Sequence, residues 1–182
     1  MKTVLGIAGS PRKGGNTEIL VSRVLAGAAA QGATVDLVRL AELKISECDG
    51  CHACWKGRGC SKKDDMLSLY PKIVSCDAIV FGTPVYWYGP TALMKAFVDR
   101  LVYFNCPKNR ALIRGKKAAI AVPFEDKDPA TADLIVKFFK KSLSYLEMKF
   151  AGQVLAPGVG AKGEIMVRSR ILAEAFDLGR SL

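Results

Sequence analysis

The topology is announced by the run Thr3-Val4-Leu5-Gly6-Ile7-Ala8-Gly9-Ser10-Pro11-Arg12-Lys13-Gly14-Gly15-Asn16-Thr17. Its first six residues are apolar enough to read as a strand covered on both faces. A polar, glycine-rich loop follows, and from about Thr17 to Gln31 the pattern turns helical, with Ile19, Leu20, Val24 and Ala28 on the inner face and Gly32 as C-cap. Strand, tight loop and helix make the first half of a βαβ unit. The unit then recurs. Thr34–Arg39, Asp77–Thr83, Lys116–Val122 and Phe150–Leu155 read as strands, and about Asp64–Ser75, Pro90–Tyr103, Pro129–Glu147 and Ile165–Phe176 as helices. Five strands alternating with five helices predict an α/β fold, a doubly wound five-stranded parallel sheet of order 2-1-3-4-5. Such a sheet binds ligands beyond the carboxyl ends of its strands at the topological switch point.

Composition narrows the function classes. The chain has 182 residues, 27 Lys+Arg against 17 Asp+Glu, six cysteines and one histidine. That length suits a single domain over residues 1–182. No apolar run approaches the roughly 18 residues of a membrane span, and Gly and Pro arrive too early for a signal-peptide core. The expectation is a cytoplasmic protein with no membrane partner. The lone His52 excludes a three-histidine zinc site, a di-iron site built on two Glu-x-x-His helices, and in practice a Ser–His–Asp triad. The net charge of +10 raises nucleic acid as a partner, but the basic residues are scattered and no nucleic-acid motif is present, so none is expected.

Two stretches lie where the predicted topology places a ligand. In the first loop, Gly14 and Gly15 allow close backbone approach, and Ser10, Asn16, Thr17 and Arg12 add donors at a helix N-terminus, where an anion is favoured. The loop is neither Gly-x-Gly-x-x-Gly nor a Walker sequence. In the second, Thr83-Pro84-Val85-Tyr86-Trp87-Tyr88-Gly89-Pro90 sets three aromatics just past an apolar strand, suited to stacking on a flat heterocycle or to packing at a subunit contact.

The segment from about 41 to 63 carries Cys48-x2-Cys51-x2-Cys54-x5-Cys60. Tandem Cys-x2-Cys steps wrap a loop around an iron–sulfur cubane, whereas zinc prefers two separated knuckles. Gly50, Gly57 and Gly59 free the loop to wrap, and Lys56, Arg58, Lys62 and Lys63 surround it with positive charge. Free thiols, a Cys–Cys redox pair and zinc are the alternatives. Cys76 reads as a buried core thiol, Cys106 has no assigned role, and His52 reads as facing solvent.

The Gly9–Thr17 loop, the Thr83–Pro90 stretch, and Met94-Lys95-Ala96-Phe97 with Asp99-Arg100 together resemble, in order, the NADPH-dependent FMN reductase superfamily, a flavodoxin-like group. The resemblance implies that Ser10, Arg12, Asn16 and Thr17 hold the FMN phosphate, beside the Gly15 backbone. It implies that Pro84, Val85, Tyr86, Trp87 and Gly89 border the isoalloxazine. The cysteine spacing resembles that of the iron–sulfur flavoproteins, a branch of the same superfamily, and implies a [4Fe–4S] cluster on Cys48, Cys51, Cys54 and Cys60 that exchanges electrons with FMN. NAD(P)H or a ferredoxin-like protein is the implied redox partner, in a homodimer or homotetramer. The rival readings are an NAD(P)H-dependent FMN or quinone reductase without a cluster, and a non-enzymatic electron carrier. Where many family members have a glycine-rich third loop, this chain has Pro123-Phe124-Glu125-Asp126-Lys127-Asp128-Pro129, so the third flavin wall is left unassigned.

Overall fold

The computed structural model describes residues 1–182. Five strands, β1 (Thr3–Ala8), β2 (Thr34–Arg39), β3 (Ala78–Gly82), β4 (Lys117–Pro123) and β5 (Lys149–Ala156), form one sheet of order β2-β1-β3-β4-β5, parallel throughout. This is the predicted doubly wound, flavodoxin-like topology. The helices are α1 (Asn16–Ala29), α2 (Met66–Ser75), α3 (Ala92–Arg100), the single turn α4 (Pro107–Arg110), α5 (Asp133–Tyr145) and α6 (Ser169–Arg180). None is long and apolar enough to cross a membrane.

The period-2 alternation of strand side chains sorts the core into two layers. Leu5, Ile7, Ile79, Phe81, Ile120 and Val122 pack under α2, α3 and α5. Val4, Ala78, Val80, Ala119 and Ala121 point the other way, under α1 and α6. That second face is lined by small residues, so its helices lie close to the sheet and to each other. A Cβ at Gly27 of α1 would fall 1.9 Å from the Phe176 carbonyl oxygen of α6, and one at Gly179 would fall 1.9 Å from that of Val24. Only glycine fits either position.

Helix ends depart from the sequence reading at identifiable places. Helix α1 stops at Ala29, and Gly32 takes the left-handed conformation two residues beyond its C-cap Ala30. Helix α2 begins at Met66 rather than Asp64, and the Asp64 carboxylate accepts the Met66 N–H (3.2 Å) from just outside it. Pro90 stays outside α3, where the Thr91 hydroxyl instead accepts from the Met94 N–H (3.1 Å) as N-cap. Past Arg100 the chain tightens into a 3-10 stretch, Leu101–Asn105, and then α4, a turn absent from the sequence reading. The expected Pro129–Glu147 helix is a 3-10 turn (Pro129–Ala132), capped by Asp128, followed by α5. The last helix starts at Ser169, after the 3-10 turn Glu164–Val167.

Candidate functional site

The site is built where β1 and β3 end. The Gly9 N–H donates to the Gly82 carbonyl (2.8 Å), and a Cβ at Gly9 would meet Met94 at 2.8 Å, so backbone packs on helix here. Two buried threonines join the loops. Thr91 donates from its hydroxyl to the Gly9 carbonyl (2.5 Å), and its N–H donates to the Thr83 hydroxyl (3.1 Å). Sequence reasoning missed both; their signal was a polar residue at each end of an otherwise apolar strand–loop–helix passage.

Within the first loop, the Arg12 N–H donates to Ser10 Oγ (3.1 Å) and the Gly15 N–H to the Arg12 carbonyl (3.1 Å). Gly14, at φ +64°, gives its N–H to Glu18 Oε2 (2.8 Å). Glu18 Oε1 accepts from Arg39 (2.7 Å), and this hydrogen bond holds its carboxyl below the ordinary range despite partial burial. The Glu18 charge in the first turn of α1 is thereby matched by Arg39. The N–H groups of Asn16, Thr17 and Glu18 take no loop carbonyl, and they remain for an anion at the positive end of the helix.

A cavity of about 100 Å³ opens over this helix end. Ser10, Arg12, Asn16, Thr17, Pro84, Val85 and Tyr86 line it, so the structure brings seven of the ten sequence-derived flavin candidates together. The other three do not line it. Gly15 is the N-cap of α1, while Trp87 and Gly89 belong to a tight turn closed by reciprocal Tyr86–Gly89 backbone bonds (2.9 and 3.0 Å). Trp87 (φ +49°) and Tyr88 (φ +59°) are both left-handed, and Trp87 is 96% exposed at the tip. The third wall is Pro123 at the end of β4 and Phe124 and Glu125 just beyond it, with Val159 and Gly160 after β5.

Asn16 behaves differently from the expectation. Its Nδ2 donates to the Ala161 carbonyl (2.9 Å) and the Val159 carbonyl (3.3 Å), and its Oδ1 accepts from the Ile165 N–H (3.2 Å). Arg12 Nη1 likewise donates to the Gly160 carbonyl (2.9 Å). The Asn16 amide is thus spent pinning the 159–165 segment against α1, and only its backbone N–H is free for a ligand. Arg12 keeps other guanidinium donors.

The cysteine segment forms a second concavity. Apart from 3-10 turns at Leu40–Glu42, where it begins, and at Ala53–Lys56, it is irregular, with left-handed His52, Gly50, Gly57 and Gly59. Cys48, Cys51, Cys54 and Cys60 all line one cavity of about 20 Å³, together with Tyr70, Arg100 and Tyr103. No three His, Cys, Asp or Glu side chains converge as the ligands of a single ion. A cubane asks for something else, one thiolate at each of four corners around a shared centre. Four thiols around one cavity fit that donor set. Asp49 braces the loop, accepting from the Cys51 N–H (3.2 Å) and pairing with Lys62 (2.9 Å), and the Lys62 bond lowers its carboxyl to about 2. His52 is exposed. Cys76 is fully buried, its thiol pushed up to about 11 by burial. It is the core thiol expected.

The family model for NADPH-dependent FMN reductase matches residues 2–153. The chain belongs to that family. Among curated relatives, an iron–sulfur flavoprotein of Archaeoglobus fulgidus is 36% identical over 116 residues, 64% of this chain and 51% of that protein. The chain thus spans about half the length of that relative. A Bacillus subtilis protein provisionally named an NAD(P)H-dependent FMN-containing oxidoreductase is 27% identical over 177 residues, 94% of this chain and 93% of that one. Among solved structures, an NAD(P)H:quinone oxidoreductase from Methanothermobacter marburgensis superposes with TM-score 0.75 over 98% of this chain and 93% of that one, at 17% identity. That likeness speaks for the fold.

Proposed function

We propose that this family member is an FMN-dependent oxidoreductase whose cysteine loop holds a [4Fe–4S] cluster in electron exchange with the flavin. One observation carries the reading: seven of the ten residues expected at the flavin line one cavity at the β1/β3 switch point, and all four expected cluster ligands line another. Bound there, FMN would supply hydride and single-electron chemistry and the cluster a one-electron relay. The protein's part is to bind and orient. The free N–H groups at the start of α1, the Ser10 and Thr17 hydroxyls and Arg12 suit a phosphate monoester dianion. Pro84, Val85 and Tyr86 offer a flat apolar wall for the ring, and Phe124 closes the third side. Cys48, Cys51, Cys54 and Cys60 would hold the cluster. NAD(P)H is the proposed hydride donor and an acidic ferredoxin-like protein the proposed single-electron partner, drawn to a chain of net charge +10. The exposed Trp87–Tyr88 turn supports a homodimer or homotetramer that covers it.

An anaerobic count of iron, sulfide and flavin per chain tests the reading. Four irons and four sulfides with one FMN are expected, and flavin without iron or sulfide removes the cluster. The near full-length match to the B. subtilis protein favours one second reading, an NAD(P)H-dependent FMN or quinone reductase without a cluster. A plain flavin spectrum with fast NAD(P)H oxidation would establish it.

A further inference from the structure

Arg100 closes α3 and is 1% exposed, the largest fully buried side chain in the chain. Its guanidinium grips Asp64 through both nitrogens (Nη1–Oδ2 2.6 Å, Nη2–Oδ1 3.0 Å) and Nη1 also donates to the Ser46 carbonyl (2.8 Å). Nη2 reaches Cys60 Sγ at 3.2 Å, and Nε is buried with no partner. A buried ion pair adds little net stability over well-packed apolar side chains, so stability alone does not account for one here. This pair sits in the wall of the four-cysteine cavity.

We propose that Arg100 is a positioning residue for the cysteine loop, fixing Cys60 by an N–H···S bond and raising the reduction potential of the cluster that loop holds. The inference rests on the iron–sulfur reading above. With Asp64 opposite, the guanidinium charge is cancelled at long range, and the directed N–H toward sulfur remains. Reduction adds one electron to the cluster and density to its thiolate sulfurs. An N–H donor therefore stabilises the reduced form more than the oxidised one, and hydrogen bonds to sulfur are a recognised determinant of cluster potential. Removing the guanidinium also leaves the Asp64 carboxylate uncompensated beside the cluster.

The test is a dithionite titration followed by paramagnetic resonance on the anaerobically purified holoprotein, in wild type, Arg100→Gln and Asp64→Asn, with iron, sulfide and flavin counted and far-ultraviolet circular dichroism recorded for each. Arg100→Gln should shift the one-electron equilibrium at least about tenfold toward the oxidised cluster, a drop of about 59 mV. Asp64→Asn, which leaves the guanidinium uncompensated, should shift it the opposite way. A loosened loop would move both variants in one direction. Shifts of the same sign, or loaded variants with the wild-type potential, overturn the proposal. An Arg100→Gln chain that keeps its flavin and loses its iron leaves the decision to Asp64→Asn, as does one that does not fold. There a raised potential supports the proposal and an unchanged or lowered one overturns it. A wild-type chain without iron and sulfide fails the cluster reading itself, an outcome distinct from loaded chains whose potentials do not move.

Discussion

Replacing Asn16 by Ala separates two roles that the loop sequence leaves merged. In the structure the amide makes three hydrogen bonds, to the Ala161 and Val159 carbonyls and from the Ile165 N–H. A hydrogen bond contributes about 0.5–1.5 kcal/mol net, and the 3.3 Å bond to Val159 belongs at the low end, so their joint loss should cost about 2 kcal/mol. With a urea slope of about 2 kcal/mol/M for a domain of this size, the midpoint falls by roughly 1 M. The assay is urea unfolding of the flavin-free chain, followed by tryptophan fluorescence. It is paired with FMN titration by flavin-fluorescence quenching in buffer. Because the amide is already spent, flavin affinity should fall by less than about tenfold (1.4 kcal/mol), through loosening of the loop. Asn16→Asp should be worse on both counts: a carboxylate facing two carbonyls can donate to neither and repels them, which outweighs the dipole's preference for negative charge at the start of α1, and it repels the phosphate. An Asn16→Ala chain with the wild-type urea midpoint and an affinity lowered 100-fold or more would refute the reasoning, for the amide would then belong to the phosphate.

Three further outcomes follow from the geometry. Gly27→Ala should lower the unfolding free energy by about 1–3 kcal/mol despite the gain of about 1 kcal/mol in helix propensity, because the new methyl meets a backbone carbonyl that cannot rotate away. The double change with Gly179→Ala should cost less than the sum, as the first opens the crossing for the second, and a urea midpoint unmoved by either would sink the claim. At a concentration where the chain is monomeric, Trp87→Gly should leave the unfolding free energy unchanged or raise it, since it relieves a left-handed non-glycine residue at an exposed tip, and a fall of more than about 1 kcal/mol there would show that Trp87 packs within its own chain. Acid should destabilise the fold through two carboxylates. Arg39 holds Glu18 below its usual value. Burial pushes Asp64 upward, but the hydrogen bonds from Arg100, the Ser46 N–H and the Met66 N–H, together with the Arg100 charge, outweigh it, so Asp64 too is lowered. A depressed folded value means that the unfolded chain binds more protons on acidification. The stabilisation is therefore present above about pH 5 and lost as pH falls through the carboxylate range. Urea midpoints between pH 6 and pH 3 measure it, and Asp64→Asn should flatten that slope.

The strands were legible because a parallel sheet buried on both faces demands uninterrupted apolar runs, and Ala78–Gly82 or Ala118–Val122 can scarcely be anything else. The two ligand loops were legible because topology puts them at strand ends and their residue types suit an anion and a ring. Long-range partnership was not legible. Nothing near Asn16 announces that its amide is satisfied about 150 residues away, and Arg100 looks like any basic residue closing a helix. Asp64 suits a helix N-terminus by local rules and does accept the Met66 N–H at the start of α2, but nothing local announces that the same carboxylate also holds a buried guanidinium. The third wall stayed unassigned because Glu125 and Gly160 meet only in space: a Cβ at Gly160 would lie 2.8 Å from the Glu125 side chain.

The clamp between the first loop and residues 159–165 bears on how the chain can be loaded as it is made. Arg12 and Asn16 leave the ribosome early, whereas the carbonyls and the N–H that orient them come nearly 150 residues later. At a synthesis rate of about 5–20 residues per second, that interval is on the order of ten seconds or more. Until it has passed, the nascent chain carries the loop but not its seat. The 159–165 side of this cavity is therefore completed late in biogenesis, after β5 has emerged.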